Sequence, residues 1–293
     1  MSELQRQVEQ IGRFELHRMP DGGEVYFEPE RHGYFGEIKP KKGGDYSYVR
    51  DSRFTGVSTP VKTLDTNVDS LLWWASKLEQ TRIAELAENC LDGGGDLDWL
   101  RSQRSIAAAL REAELTWSHV RDRAADRGSR VHELIFLALA QEQRPPSLSA
   151  LTSTERAYGQ AAIRWWRDRE PKALYAEQVT LSRGHRVAGR FDLLCEIDGE
   201  RVLCDAKTRE RGVARKSDHA QLAGYEMCNE ACGIGGSDRQ LAIILKPDGT
   251  YEEHESVATE ADFIASLEAY RAGGDLDKRI RAAEKGERQA VLA

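Results

Sequence analysis

Hydrophobic and polar positions change period along this 293-residue chain. Over residues 67–87 and again over 97–115, Leu, Trp, Ile and Ala recur at helical spacing. A third helix is predicted over 116–140, where Trp117, Val120, Ala124, Val131, Ile135 and Ala138 form one stripe at three- and four-residue steps. Pro145 and Pro146 close off the segment after it, and a fourth helix over 153–169 stops before Pro171. The pattern then shifts. Residues 174–182, 186–197 and 200–207 read as three strands, 216–232 as a helix, 240–246 as an apolar strand and 260–285 as a polar C-terminal helix. Residues 12–60, rich in Gly, Tyr, Phe and Pro, carry short alternating pieces such as Glu24-Val25-Tyr26-Phe27-Glu28 and read as β-hairpins and loops. The expected class is α/β (α+β), with a core ordered helix, three strands, helix, strand. Residues 1–115 form a mixed accessory region, 116–258 the core, and 259–293 a C-terminal helix.

Composition narrows the class. The longest apolar run, 134–140, is seven residues long, against about 20 needed to cross a bilayer, so no transmembrane helix is expected. The first ten residues are polar and charged with no apolar segment, which argues against a secretory signal and for a cytoplasmic location. Five cysteines, odd in number and without a C-x-x-C pair, make a disulfide framework an unexpected reading. Lys and Arg number 42 against 49 Asp and Glu, a net charge of −7, which points away from a wholly basic nucleic-acid coat and leaves room for a local basic groove. Two basic islands stand out from that background. Residues 101–130 hold seven arginines, Arg127 and Arg130 among them, against four acidic residues; residues 207–216 hold five cationic residues, including Arg209 and Arg211, against Glu210 alone. The islands suggest a polyanion groove, with ordinary solvated helix faces as the other reading.

Candidate chemistry lies between Arg190 and Lys207. Asp198-Gly199 between two apolar runs signals a two-residue hairpin turn. Counting outward from that turn sets Asp192 directly opposite Asp205, and facing side chains share one side of a sheet. Two like charges there are destabilising unless one is protonated or a cation lies between them, and a hard divalent ion with oxygen ligands is the natural remedy. Alternation adds Lys207 to the Asp205 side, while Leu193, Cys195, Val202, Cys204 and Ala206 line the other as a packing face. An ammonium beside two carboxylates and a metal suits phosphodiester hydrolysis. An exposed Asp-x-Lys pair on a hairpin is the plainer reading of that tripeptide alone.

Four segments taken together resemble a known family. They are Arg127-Gly-Ser-Arg-Val-His132-Glu on a helix, Gly189-Arg-Phe-Asp192 and Asp205-Ala-Lys207 on strands, and Gln221-Leu-Ala-Gly-Tyr225 on the next helix. In kind, order and element they are similar to the motifs of the PD-(D/E)XK nuclease superfamily, and within it of RecB-type and phage-encoded nucleases. The resemblance covers roughly 127–225, with a weaker echo near 55–75, and it implies a restriction-endonuclease-like core. It implies that His132, Asp192, Asp205 and the backbone carbonyl of Ala206 bind Mg²⁺ or Mn²⁺, and that Lys207 positions the attacking water. By the same resemblance Gln221 and Tyr225 support the site and contact the DNA backbone, and Glu177 is an additional acidic residue.

The expected function is therefore metal-dependent DNA cleavage by an exonuclease of phage-type recombination, replication or degradation, acting in the cytoplasm, or the host cytoplasm if phage-encoded. An endonuclease or junction-cleaving enzyme of the same fold, and a non-cleaving module that binds nucleic acid or a partner, are the alternatives. DNA, duplex or single-stranded, is the expected partner. A homo-oligomer or a recombination or replication protein is a further partner class. Cys228-x-x-x-Cys232 does not complete the four-thiolate pattern of iron–sulfur relatives, so no such cluster is expected. Trp73-Trp74 and Trp165-Trp166 are candidates for base stacking, with at least one Trp of each pair assigned to the core.

Overall fold

Both residues of the predicted hairpin turn adopt positive φ, +55° at Asp198 and +86° at Gly199, the backbone that a tight two-residue turn between twisted strands requires. The computed structural model describes residues 8–65, 68–142 and 147–291. Seven short strands come first among these residues: β1 (Val8–Ile11), β2 (Phe14–Arg18), β3 (Glu24–Glu28), β4 (Gly33–Phe35), β5 (Ile38–Pro40), β6 (Tyr46–Tyr48) and β7 (Arg53–Gly56). Helices α1 (Ser58–Val61), α2 (Val68–Asp92), α3 (Gln103–Glu112) and α4 (Trp117–Val131) follow, then one π-helical turn (His132–Phe136), α5 (Leu137–Glu142) and α6 (Ser153–Arg169). The last part holds β8 (Lys172–Ser182), β9 (Val187–Ile197), β10 (Glu200–Thr208), α7 (Lys216–Ala231), β11 (Arg239–Leu245), β12 (Tyr251–Glu255) and α8 (Glu260–Val291).

The described residues divide into two compact units, one running up to Asp65 and resuming at Val131, the other lying between them. In the second unit, Ser102 caps α3 by accepting the Ser105 amide at 3.1 Å. Leu110 is its one fully buried hydrophobic side chain among the described residues.

The first unit is built on a ten-stranded sheet ordered β1-β2-β3-β4-β7-β9-β10-β11-β12, with β8 alongside β9 and β5–β6 as a separate hairpin. Strands β10 and β11 are parallel, and α7 makes the crossover between them. Helices cover both faces. One core gathers Val57, Leu222, Met227, Phe263 and Leu267 over Val179, Leu194 and Leu203; the other sets Ile135, Phe136, Tyr158 and Trp165 against Leu193, Cys195, Val202 and Cys204. The predicted packing face of the hairpin is thus buried as expected, but its opposite face is covered as well. Strands enclosed on both sides run apolar where both faces are covered, as Leu193–Cys195 of β9 and Val202–Cys204 of β10 do.

Three elements differ from the sequence expectation: the helix expected over 97–115 is a 3-10 turn, Asp98–Arg101, followed by α3, and the other two bear on the core and the sheet edge. The predicted helix 116–140 contains the π turn, whose extra residue moves the buried stripe from Ala138 to Leu139 and Ala140. Strand β12, Tyr-Glu-Glu-His-Glu, has no apolar alternation to reveal it. It pairs with β11 at the sheet edge, where Glu253 accepts the Trp165 indole N–H at 2.6 Å and the Arg169 Nε–H at 2.9 Å. Charged side chains there also protect an edge strand from pairing with other chains.

Strand β9 carries the feature that positions the site. Along one edge β8 pairs with it from Val187 to Glu196. Along the other, β7 pairs only at Val187 and Ala188, and β10 takes over from Leu193 to Ile197. Between them the edge at 189–192 has no strand partner among the described residues, so Gly189-Arg-Phe-Asp192 lines a fork in the sheet.

Candidate active site

Register brings three carboxylates to the fork. The β9–β10 ladder keeps the predicted pairing through Leu193↔Cys204, so Asp192 and Asp205 stand at the next step, where the strands part. In place of a ladder bond, the Asp192 carboxylate accepts the Ala206 amide at 2.7 Å. On the other edge, Ala176 pairs with Leu193 and Gln178 with Phe191, which puts Glu177 at the Asp192 position. Glu177 has φ +48°, a left-handed conformation that costs a non-glycine residue energy and persists where its surroundings impose it. A bulge between Ala173 and Tyr175 sets this register. The row Glu177, Asp192, Asp205 across three strands is absent from the alternation of any one of them.

His132, at the start of the π turn, supplies the fourth group. Its Nδ1 lies 3.3 Å from Asp192 Oδ2, and one ligand atom each of His132, Glu177 and Asp192 lies within 4.8 Å of the others. Arg190 Nε is 3.1 Å from Glu177 Oε2. Asp205 stands on the far side of Asp192, its Oδ2 2.5 Å from Lys207 Nζ. The Gln221 amide donates to Asp205 Oδ1 at 3.3 Å and to Tyr225 Oη at 2.8 Å. The i,i+4 spacing of Gln221 and Tyr225 on α7 makes that pair of contacts attainable. Gly189 leaves room for Tyr225: a Cβ there would sit 2.6 Å from the Tyr225 ring and 2.9 Å from Val57.

Charge follows burial and pairing. Burial disfavours the His132 cation, but the charge and hydrogen bond of Asp192 outweigh it and lift the imidazole to about 9. Burial likewise pushes Asp192 up, and His132, Lys207 and the Ala206 amide hold it below the usual carboxylate range. Asp205, 1% exposed, is raised to about 6 by burial, with Lys207 opposing and Asp192 reinforcing the shift. Lys207 is held above its ordinary value, burial being overcome by both aspartates, and is an ammonium at neutral pH.

The remaining candidates, Ala206 apart, fall elsewhere. Arg209 makes a two-point bridge to buried Asp218, at 2.5 and 2.7 Å, and donates to the Val213 carbonyl. Asp218 also accepts the Arg215 amide at 2.7 Å, so Arg209 secures the start of α7. Arg211 is exposed on the loop before α7. Arg127 and Arg130 belong to the second compact unit, near the end of α4. Ala206 reaches the site through its amide. Cys195 and Cys204 lie in one core, Sγ atoms 3.9 Å apart, and Cys228 and Cys232 in the other. Trp165 is buried, whereas Trp73 and Trp74 are exposed.

The family model for the PD-(D/E)XK nuclease superfamily matches residues 99–287. The chain belongs to the PD-(D/E)XK nuclease superfamily. Its mixed α/β architecture, with helices on both faces of the sheet, is consistent with that superfamily's fold. A solved structure titled "Crystal structure of SSO0001" is similar over 50% of this chain and 68% of its own, at 19% identity and a TM-score of 0.28. No curated protein matches the chain. PD-(D/E)XK nucleases depend on divalent metal, and membership implies a nucleic-acid substrate. An imidazole nitrogen and two carboxylate oxygens gathered within 4.8 Å fit such an ion. Among the described residues, no helix is long and apolar enough to cross a membrane.

Proposed function

We propose that this nuclease-superfamily chain is a Mg²⁺- or Mn²⁺-dependent deoxyribonuclease, an exonuclease of the RecB-type and phage-encoded branch. The observation that carries this reading is the fork, where His132, Glu177 and Asp192 converge beside the Asp205–Lys207 pair. His132, Glu177 and Asp192 would hold the ion, with Asp205 next to them. When bound, the ion supplies positive charge at a phosphoryl oxygen and acidifies water.

The chain's own groups do the rest. Lys207, protonated at neutral pH, has no lone pair with which to accept a proton, so it orients the attacking water and stabilises negative charge rather than acting as a base. Asp205 fixes Lys207, and Gln221 fixes Asp205 from α7. Water oxygen attacks phosphorus and gives up a proton to solvent, the bond to the leaving nucleotide oxygen breaks, and that oxygen takes up a proton from solvent. A cytoplasmic site of action, in the host if the protein is phage-encoded, agrees with a DNA substrate.

The test is digestion of end-labelled linear duplex, closed circular duplex and single strands with Mn²⁺, with Lys207→Ala in parallel. Loss of linear substrate alone, slowed at least about a hundredfold by the substitution, is the expected result. Nicking of the circle replaces the exonuclease with an endonuclease. Undiminished cutting by Lys207→Ala overturns the mechanism, and no cutting by wild type turns the reading to a binding module.

A further inference from the structure

Arg190 lies two residues before Asp192 on β9, paired with Val179 of β8 on one edge and facing the fork on the other. Its guanidinium reaches Glu177 at 3.1 Å and sits over the Phe27 ring, 5.3 Å from the centroid. Phe27 is 1% exposed on β3, paired with Tyr34 of β4, and its ring lies 4.9 Å from that of Tyr34. A rigid aromatic platform from the N-terminal meander therefore lies beneath the cation that touches Glu177, the residue held in a left-handed conformation.

We propose that Arg190, seated on Phe27, is a positioning residue that holds the Glu177 carboxylate toward His132 and Asp192, so that the N-terminal strands complete the metal site. The inference rests on the metal-dependent reading of the fork and gives Arg190 and Phe27 a role that the resemblance did not supply. The planar guanidinium serves both contacts at once, offering a flat face to the ring and an N–H to the carboxylate. Partners that orient a metal ligand typically change metal affinity 10- to 100-fold when removed.

The experiment is calorimetric Mn²⁺ titration of the full chain, with folding checked by circular dichroism, for wild type, Arg190→Ala, Arg190→Lys, Phe27→Leu, Glu177→Gln and the Arg190→Ala/Glu177→Gln double variant. Arg190→Ala should weaken Mn²⁺ about tenfold, Arg190→Lys should recover part of the loss, and Phe27→Leu should weaken binding by a smaller factor. Since Arg190 acts through Glu177, the double variant should bind no more weakly than Glu177→Gln alone. Unchanged Mn²⁺ affinity in folded Arg190→Ala, or in Arg190→Lys and Phe27→Leu should the alanine variant not fold, overturns the proposal, as do losses that add in the double variant. Unchanged Mn²⁺ affinity with weakened metal-free DNA binding makes Arg190 a phosphate contact instead. If wild type takes up no Mn²⁺, the metal-centre reading itself fails, a distinct result.

Discussion

Asp205 and His132 are both shifted upward, and each makes the metal-free protein prefer acid. A carboxyl raised to about 6 in the folded chain binds its proton more tightly than in the unfolded chain. Its stabilisation is complete below about pH 4 and disappears as pH rises through 6. An imidazole raised to about 9 contributes fully below about pH 6.5, and that contribution is lost as pH climbs through 9. Asp192, shifted down, acts in the opposite sense and loses its contribution only as pH falls through its folded value, below the ordinary carboxylate range. Thermal melts in EDTA from pH 4.5 to 9.5 should therefore show stability falling in two windows, with Asp205→Asn removing the first. Melting temperatures that stay level or rise across both would contradict this account of the charges.

Elements matter through where they fail to continue. The fork exists because β7 is only four residues long and β10 meets β9 beyond it. The intervening backbone is therefore free to present Asp192 to its neighbours. Tyr225 of α7 packs against the same stretch at Gly189. Gly189→Ala should cost about 1–3 kcal/mol, because ring and Val57 both stand within 3 Å of the added carbon. It should also displace Gln221, lowering cleavage more than Mn²⁺ affinity. Denaturant unfolding with parallel activity assays checks this, and an alanine variant of wild-type stability would mean that Tyr225 yields at no cost. The Gly-x-x-Asp motif was legible as a string of letters. Its glycine has a physical reason only once α7 is packed.

Across the whole molecule a net charge of −7 confines phosphate binding to local patches, and two arginines of the second island, Arg209 and Arg211, differ in role there. Arg209 is committed to buried Asp218, so Arg209→Met should destabilise the fold by about 3–5 kcal/mol, the usual cost of stranding one partner of a buried pair. Arg211, exposed, should leave the melting temperature unchanged when replaced by alanine, and should reduce the salt dependence of duplex binding by about one phosphate's worth. Melting curves and salt titrations of the two variants test the pair. A stable Arg209→Met with weakened DNA binding would return Arg209 to the substrate interface.

The hairpin register, the burial of Cys195, Val202 and Cys204, and most helix and strand positions were legible in the chain, because turn chemistry and hydrophobic periodicity are local and act within a few residues. Asp192 and Asp205 belong to that class: one turn, Asp198-Gly199, determines their pairing. The place of Glu177 beside them, its left-handed backbone, the support from Arg190 and Phe27, and the covering of the second sheet face by α7 and α8 do not. Each depends on which strand stops where and on how separate elements pack, and Phe27 meets Arg190 from more than a hundred positions away. No local pattern encodes those meetings, and they arise only when the elements pack.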